Sequence, residues 1–112
     1  MSIEKRNVGD VTVLDVTGKL KIGEADVELR NAVHEALGAG HRKILLNLRK
    51  VSAMDSSGVG ELMAARTSIL NAGGQLRLAE LSPRVSTVLQ VTNLAGLLEP
   101  NATEEEALGS FA

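Results

Sequence analysis

Alternation of apolar and polar residues in the first part of the chain predicts a β-hairpin. A weakly alternating segment, 3–8, is followed by the turn residues Gly9 and Asp10 and then by 11–16, which is rich in β-branched residues. Such runs on both sides of a tight turn are typical of hairpin strands. The segment 19–22, which lies between two glycines, is interpreted as a loop.

Further along the chain, the apolar spacing becomes that of helices. Apolar residues recur three or four positions apart in 25–37, in 57–71 and in a third segment that begins at Ser82-Pro83. Serine at the N-cap and proline at N1 are the preferred start of a helix. A Thr-x-x-Glu capping box at 103–106 predicts a last helix. The predicted inward face of the third helix consists of Val85, Val88, Leu89 and Thr92.

Two short apolar runs between these helices, 44–48 and 76–79, predict strands that are covered on at least one face. Leu97-Leu98 is the candidate for a short additional strand. The resulting order is ββαβαβα(β)α, in which a hairpin precedes strand–helix repeats. This order is typical of a mixed sheet with helices packed over it. We therefore predict one α/β domain over 1–112, with four to five strands and about four helices.

Composition excludes several classes of function. The chain has 112 residues, a formal net charge of −2, no cysteine and a single aromatic residue, Phe111. These features argue against thiolate zinc sites, disulfides, base-stacking surfaces and a basic footprint for duplex DNA. No apolar run reaches the roughly 18 residues of a membrane-spanning helix, and the polar start lacks a signal-peptide core. We expect a cytoplasmic protein that binds neither nucleic acid nor membrane.

The junction between the 44–48 strand and the second helix concentrates the polar chemistry of the chain. It contains one carboxylate, two hydroxyls and two glycines, at Asp55, Ser56, Ser57, Gly58 and Gly60. A helix N-terminus presents unpaired N–H groups and a positive dipole end, so a phosphate on either serine would lie in a favourable field. Asp and Ser are also ordinary N-caps, each worth about 1 kcal/mol, and capping alone would account for the same residues.

Catalytic motifs do not fit this junction. The P-loop lysine is missing, and neither serine has the preceding glycine of a nucleophile elbow. His34, in a helix, and His41, in a glycine turn, are more typical of polar surface residues than of a general base. Their spacing also matches no metal motif. We expect no enzymatic activity, no metal and no cofactor.

The segment 54–60, Met-Asp-Ser-Ser-Gly-Val-Gly, resembles the STAS domain of bacterial anti-sigma factor antagonists. Segments that resemble the same family occur in the same order along the chain, at 17–20, 44–48, 71–74 and 81–85. The resemblance implies that Ser56, directly after the aspartate, is phosphorylated by an anti-sigma factor that is itself a serine kinase. The unphosphorylated form would bind that kinase and free the sigma factor. A metal-dependent serine phosphatase would reverse the modification, and ATP and Mg²⁺ would belong to the kinase.

The resemblance also implies a partner-binding surface next to Ser56. Many family members have an acidic residue just after the leucine of the Thr-Gly-x-Leu segment, whereas this chain has Lys21. Together with Lys19, it would attract an acidic partner or hold the phosphate, although two exposed loop lysines would give the same sequence. The implied partner-binding residues are Lys19, Lys21, Ile22, Met54, Asp55, Ser57, Gly58, Val59 and Glu61.

Two alternatives remain. A STAS module could serve another partner, such as a stress-signalling scaffold or a lipid transporter to which it is an accessory subunit. The complete Asp-Ser-Ser-Gly segment at 55–58 favours the sigma-factor interpretation, because those roles do not require a phosphorylatable serine. A small enzyme or nucleotide-binding protein is the other alternative, and the missing P-loop lysine argues against it. We expect a monomer when the protein is free.

Overall fold

The computed structural model describes residues 2–21 and 24–111, with the side chains of 24–26 left out. The strands are β1 (Ser2–Val8), β2 (Val11–Leu20), β3 (Lys43–Met54) and β4 (Gln75–Ala79). The helices are α1 (Glu24–Gly38), α2 (Ser56–Asn71), α3 (Pro83–Val91), α4 (Ala95–Leu98) and α5 (Glu104–Gly109). This confirms the predicted α/β class and the hairpin followed by strand–helix repeats.

The four strands form one mixed sheet in the order β1-β2-β3-β4. β1 and β2 pair antiparallel through the tight turn, while β2–β3 and β3–β4 pair parallel. Each parallel pair is joined by a crossover helix, α1 and then α2. The carboxyl ends of β2, β3 and β4 therefore lie at one edge of the sheet, where the loops into α1, α2 and α3 begin.

Helices cover both faces of the sheet. Alternate strand residues point to opposite faces, so Leu14 and Leu46 contribute to one core cluster while Val13 and Leu45 contribute to the other. The larger cluster joins the sheet to α1, α2, α3 and α4. The smaller cluster lies under α5, with Ala107 fully buried. None of the helices formed by the described residues is long and apolar enough to cross a membrane.

Polar contacts hold α5 on the second face of the sheet. The Thr103 hydroxyl accepts a hydrogen bond from the Glu106 amide at 3.1 Å, which confirms the predicted cap. Glu104 forms an ion pair with Arg6 of β1 and accepts a hydrogen bond from the Asn47 amide at 3.0 Å. The pKa of Glu104 is lowered below its ordinary value, first by the Arg6 guanidinium and then by the Asn47 amide.

The structure corrects three local predictions. The segment interpreted as a loop begins later, because β2 continues through Leu20 after a register shift at Gly18, which has φ 114°. A glycine within a strand often marks such an irregularity. Leu97-Leu98 belongs to a one-turn helix, and it is Asn101 that forms a parallel bridge to β4. Thr92 is exposed at the end of α3, where its hydroxyl donates to the Val88 carbonyl at 2.9 Å.

Candidate functional site

Asp55 is the N-cap of α2 and directly follows the last residue of β3. It has an extended backbone, and its carboxylate accepts a hydrogen bond from the Gly58 amide at 3.0 Å. This bond satisfies one of the four amides that a helix start leaves unpaired. The capping explanation left open by the sequence therefore applies to Asp55, and it accounts for neither serine that follows.

Ser56 is the first residue of α2, and its side chain is exposed. Its hydroxyl makes no hydrogen bond to any of the described residues. Ser57 is only half-exposed, so the two neighbouring hydroxyls differ in access. Beyond the capping carboxylate of Asp55, the first turn of α2 contains no acidic side chain, and the positive end of the helix dipole favours an added anion there. Ser56 is thus an available acceptor hydroxyl.

The end of β2 lies directly against this helix start. The Asp55 amide donates to the Leu20 carbonyl at 3.2 Å, and Lys19 pairs with Ala53 in the parallel ladder. A Cβ atom on Gly58 would lie 2.1 Å from the Leu20 oxygen, so only glycine allows this approach. The parallel pairing of β2 and β3 therefore brings the lysine-bearing segment next to the start of α2.

A shallow groove of about 500 Å³ adjoins the N-cap of α2 and extends to α3. Its residues come from the ends of two strands and from the first two turns of α3: Lys21, Ala53, Met54, Asp55, Pro83, Arg84, Thr87 and Val88. Neither Lys21 nor Arg84 forms an ion pair with a described residue, whereas the carboxylate of Asp55 is occupied by the helix cap. The groove therefore combines an apolar floor with two cationic side chains and one carboxylate, that of Asp55.

Several predicted partner-binding residues are accessible at this edge. Lys19 and Lys21 are exposed, and Met54 lines the groove although only 6% of its surface is accessible. Glu61 is half-buried and forms a 2.9 Å ion pair with Arg30 of α1. Of these four side chains, Lys21 and Met54 line the groove, whereas Lys19 and Glu61 do not.

Two of the predicted contact residues, Gly58 and Val59, are buried beneath the site. They support the helix start from below, and in this conformation they present no surface to a partner. Ile22 lies outside the described residues. His34 is exposed on α1, while His41 is half-buried after it. Among the residues that the structure describes, no group of three His, Asp or Glu side chains could hold a metal.

Sequence reasoning missed the contribution of α3. Pro83, Arg84, Thr87 and Val88 line the groove, but the sequence suggested only a helix start and an inward face there. One signal was available: in a parallel sheet, the loops that follow neighbouring strands meet at the same edge. β4 precedes α3 as β3 precedes α2, so the first turns of the two helices should be neighbours.

Comparison with known proteins identifies the family to which this fold belongs. The family model of the STAS domain matches residues 2–107. A homologue of an anti-sigma factor antagonist in Thermotoga neapolitana is 34% identical over 101 residues, which is 90% of this chain and 89% of that protein. A crystal structure of an anti-sigma factor antagonist from Thermotoga maritima superposes with a TM-score of 0.88 at 29% identity, and it covers 97% of this chain and 93% of that one.

A second solved relative is SpoIIAA of Bacillus, an anti-sigma factor antagonist. Its unphosphorylated form matches with a TM-score of 0.69 and its phosphorylated form with 0.71, both at 28% identity. The two matches cover 96% of this chain, and 96% and 97% of SpoIIAA respectively. The fold, the capped helix start and the family match define a STAS domain. The chain belongs to the STAS domain family, among the anti-sigma factor antagonists.

Proposed function

We propose that this protein is a phosphorylation-controlled antagonist that acts in the cytoplasm. Its unphosphorylated form binds an anti-sigma factor that is also a serine kinase, and the sigma factor is released. The kinase transfers a phosphoryl group from ATP to the hydroxyl of Ser56, and a metal-dependent phosphatase removes it by hydrolysis. The exposed hydroxyl of Ser56, beside a cap already supplied by Asp55, carries this proposal.

Two further observations support the choice of Ser56. Ser57 follows it by one residue but is only half-exposed, so a kinase would reach Ser56 more readily. The relative SpoIIAA has been solved in both unphosphorylated and phosphorylated forms with nearly equal likeness to this fold. A domain of this architecture thus accepts a phosphate without losing its fold.

The added charge is expected to weaken partner binding rather than to destabilise the domain. Phosphorylation adds about −1.5 to −2 charges at pH 7. At the N-terminus of α2 this charge suits the helix dipole, so the isolated domain should remain stable. Inside an interface the same charge must be desolvated, and it repels acidic groups of the partner. A cost of roughly 3 kcal/mol would lower the affinity more than a hundredfold.

The test is phosphorylation by the anti-sigma kinase of the same organism with ATP and Mg²⁺, followed by mass mapping of the modified residue. One phosphate on Ser56 is expected, with no incorporation in Ser56→Ala, while in Ser57→Ala the phosphate should still map to Ser56. In a titration, the unphosphorylated protein should displace the sigma factor and the phosphorylated protein should fail to do so. Modification elsewhere, or equal displacement by both forms, would refute the proposal.

A further inference from the structure

The groove beside Ser56 has an unusual charge for its place in the fold. Arg84 is the second residue of α3, where the helix dipole disfavours a positive side chain. The first turns of α2 and α3 contain no acidic residue, whereas that of α5 contains three glutamates. Lys21 adds a second cation at the same edge. Arrangements that oppose local stability often mark functional sites.

The two cationic side chains at the groove outnumber its one carboxylate, Asp55. Lys21 and Arg84 form no ion pair with a described residue, and Asp55 already caps α2. Two helix N-termini, those of α2 and α3, add their positive dipole ends to the two side chains. Such an edge attracts acidic groups, and it accelerates the encounter with a partner that carries them.

The floor of the groove is apolar and firmly supported. Met54 is almost fully buried, and Val88 is half-buried and packs against the main core. Ala53 and Pro83 add small apolar surfaces around them. An occupant that fits both floor and rim would place an apolar side chain over Met54 and Val88, with carboxylates near Lys21 and Arg84.

We propose that this groove binds an acidic segment of the anti-sigma factor, with Lys21 and Arg84 as specificity-determining residues. The inference rests on the proposed function and extends the docking surface from Ser56 across to α3. It also explains why phosphorylation would lower, rather than raise, the affinity for the anti-sigma factor. A phosphate on Ser56 would offset the two positive charges and place negative charge beside the acidic segment of the partner.

The experiment compares two charge reversals of equal net change. Lys21→Glu/Arg84→Glu alters the groove, whereas Lys5→Glu/Lys50→Glu alters exposed residues that do not line it. All four side chains lack an ion pair with a described residue, so both variants should fold. The association rate constant with the anti-sigma kinase is measured by stopped flow at about 0.05 M and about 0.5 M salt.

The groove variant should associate about tenfold more slowly than wild type at low salt, and the control less than about twofold. The difference should shrink at high salt, because exposed charges are screened. Equal rates for the two variants would overturn the groove assignment. The assignment would also be overturned if the free protein bound ATP saturably and the groove variant, but not the control variant, lost this binding. The groove would then be a nucleotide-binding site.

The outcomes separate this inference from the proposed function. If the groove variant binds like wild type while phosphorylated wild type does not bind, the groove assignment fails and the proposed function stands. If the groove variant binds weakly and wild type is phosphorylated on Ser56, both are supported. If wild type neither binds the kinase nor accepts phosphate, both fail.

Discussion

Gly58→Ala is the sharpest test of how the site is built. In an isolated helix, alanine at this position would be favoured over glycine by about 1 kcal/mol. In this fold a Cβ atom would lie 2.1 Å from the Leu20 carbonyl oxygen and 2.9 Å from the Leu20 carbon. The obstacle is backbone at the end of a paired strand, so it cannot rotate away as a side chain could.

The clash should reverse the effect of helix propensity. Overpacking in a well-packed region costs typically 1–3 kcal/mol, and a backbone obstacle places this site at the upper end. After the propensity gain of about 1 kcal/mol is subtracted, we expect a net loss of about 2 kcal/mol. That corresponds to a fall of roughly 8 °C in the melting temperature of a domain of this size. Movement of β2 away from α2 would also slow phosphorylation of Ser56.

Gly60→Ala is the matched control, two residues further along α2. Apart from its chain neighbours and the backbone of its own helix, no atom lies within 4 Å of the added Cβ, so only helix propensity applies and a gain of about 0.5–1 kcal/mol is expected. Urea unfolding, monitored by circular dichroism, measures both variants. If Gly58→Ala were as stable as Gly60→Ala, the close approach of β2 to α2 would be refuted as the reason for the glycine.

Three further outcomes follow from the same structure. Asp55→Ala should destabilise the fold by about 1 kcal/mol in urea unfolding, while Asp55→Asn should keep most of the cap. Ser56→Asp should retain the unfolding midpoint and lose affinity for the anti-sigma kinase in a titration; wild-type affinity would contradict the switch. Because Arg6 lowers the pKa of Glu104, this carboxylate stabilises the fold above its ordinary pKa and loses that contribution as the pH falls through the lowered value. Glu104→Gln should therefore lose less unfolding free energy below about pH 5 than wild type, and identical pH profiles would argue against the ion pair.

Local signals predicted much of the fold. The hairpin, the two crossover helices and the caps at Ser82 and Thr103 follow from side-chain periodicity and from residues with strong positional preferences. These preferences act within a few residues, so they can be read without knowing the tertiary structure. Asp55 and the two serines at the start of α2 were located in the same way, since their junction with the preceding strand is visible in the sequence.

Non-local contacts explain what the sequence did not predict. Lys19 and Leu20 belong to a strand only because β3 pairs with them, and local patterns favoured a loop beside Gly18. Leu97-Leu98 was too short to define a period, so packing determined its helical form. The groove joins Lys21 to Arg84, which are distant in sequence and become neighbours only through the parallel order of the strands.

The arrangement around Ser56 argues for a switch that works through charge rather than refolding. The helix start is held by the Asp55 cap, by the hydrogen bond to Leu20 and by the buried Gly58 and Val59 beneath it. None of these contacts uses the Ser56 hydroxyl, so phosphorylation removes no contact within the described chain. The supporting elements can therefore stay in place while the electrostatic surface changes by nearly two charges. Under the proposed function, phosphorylation of the exposed Ser56 hydroxyl would thus lower the affinity for the partner while the fold of the domain stays unchanged.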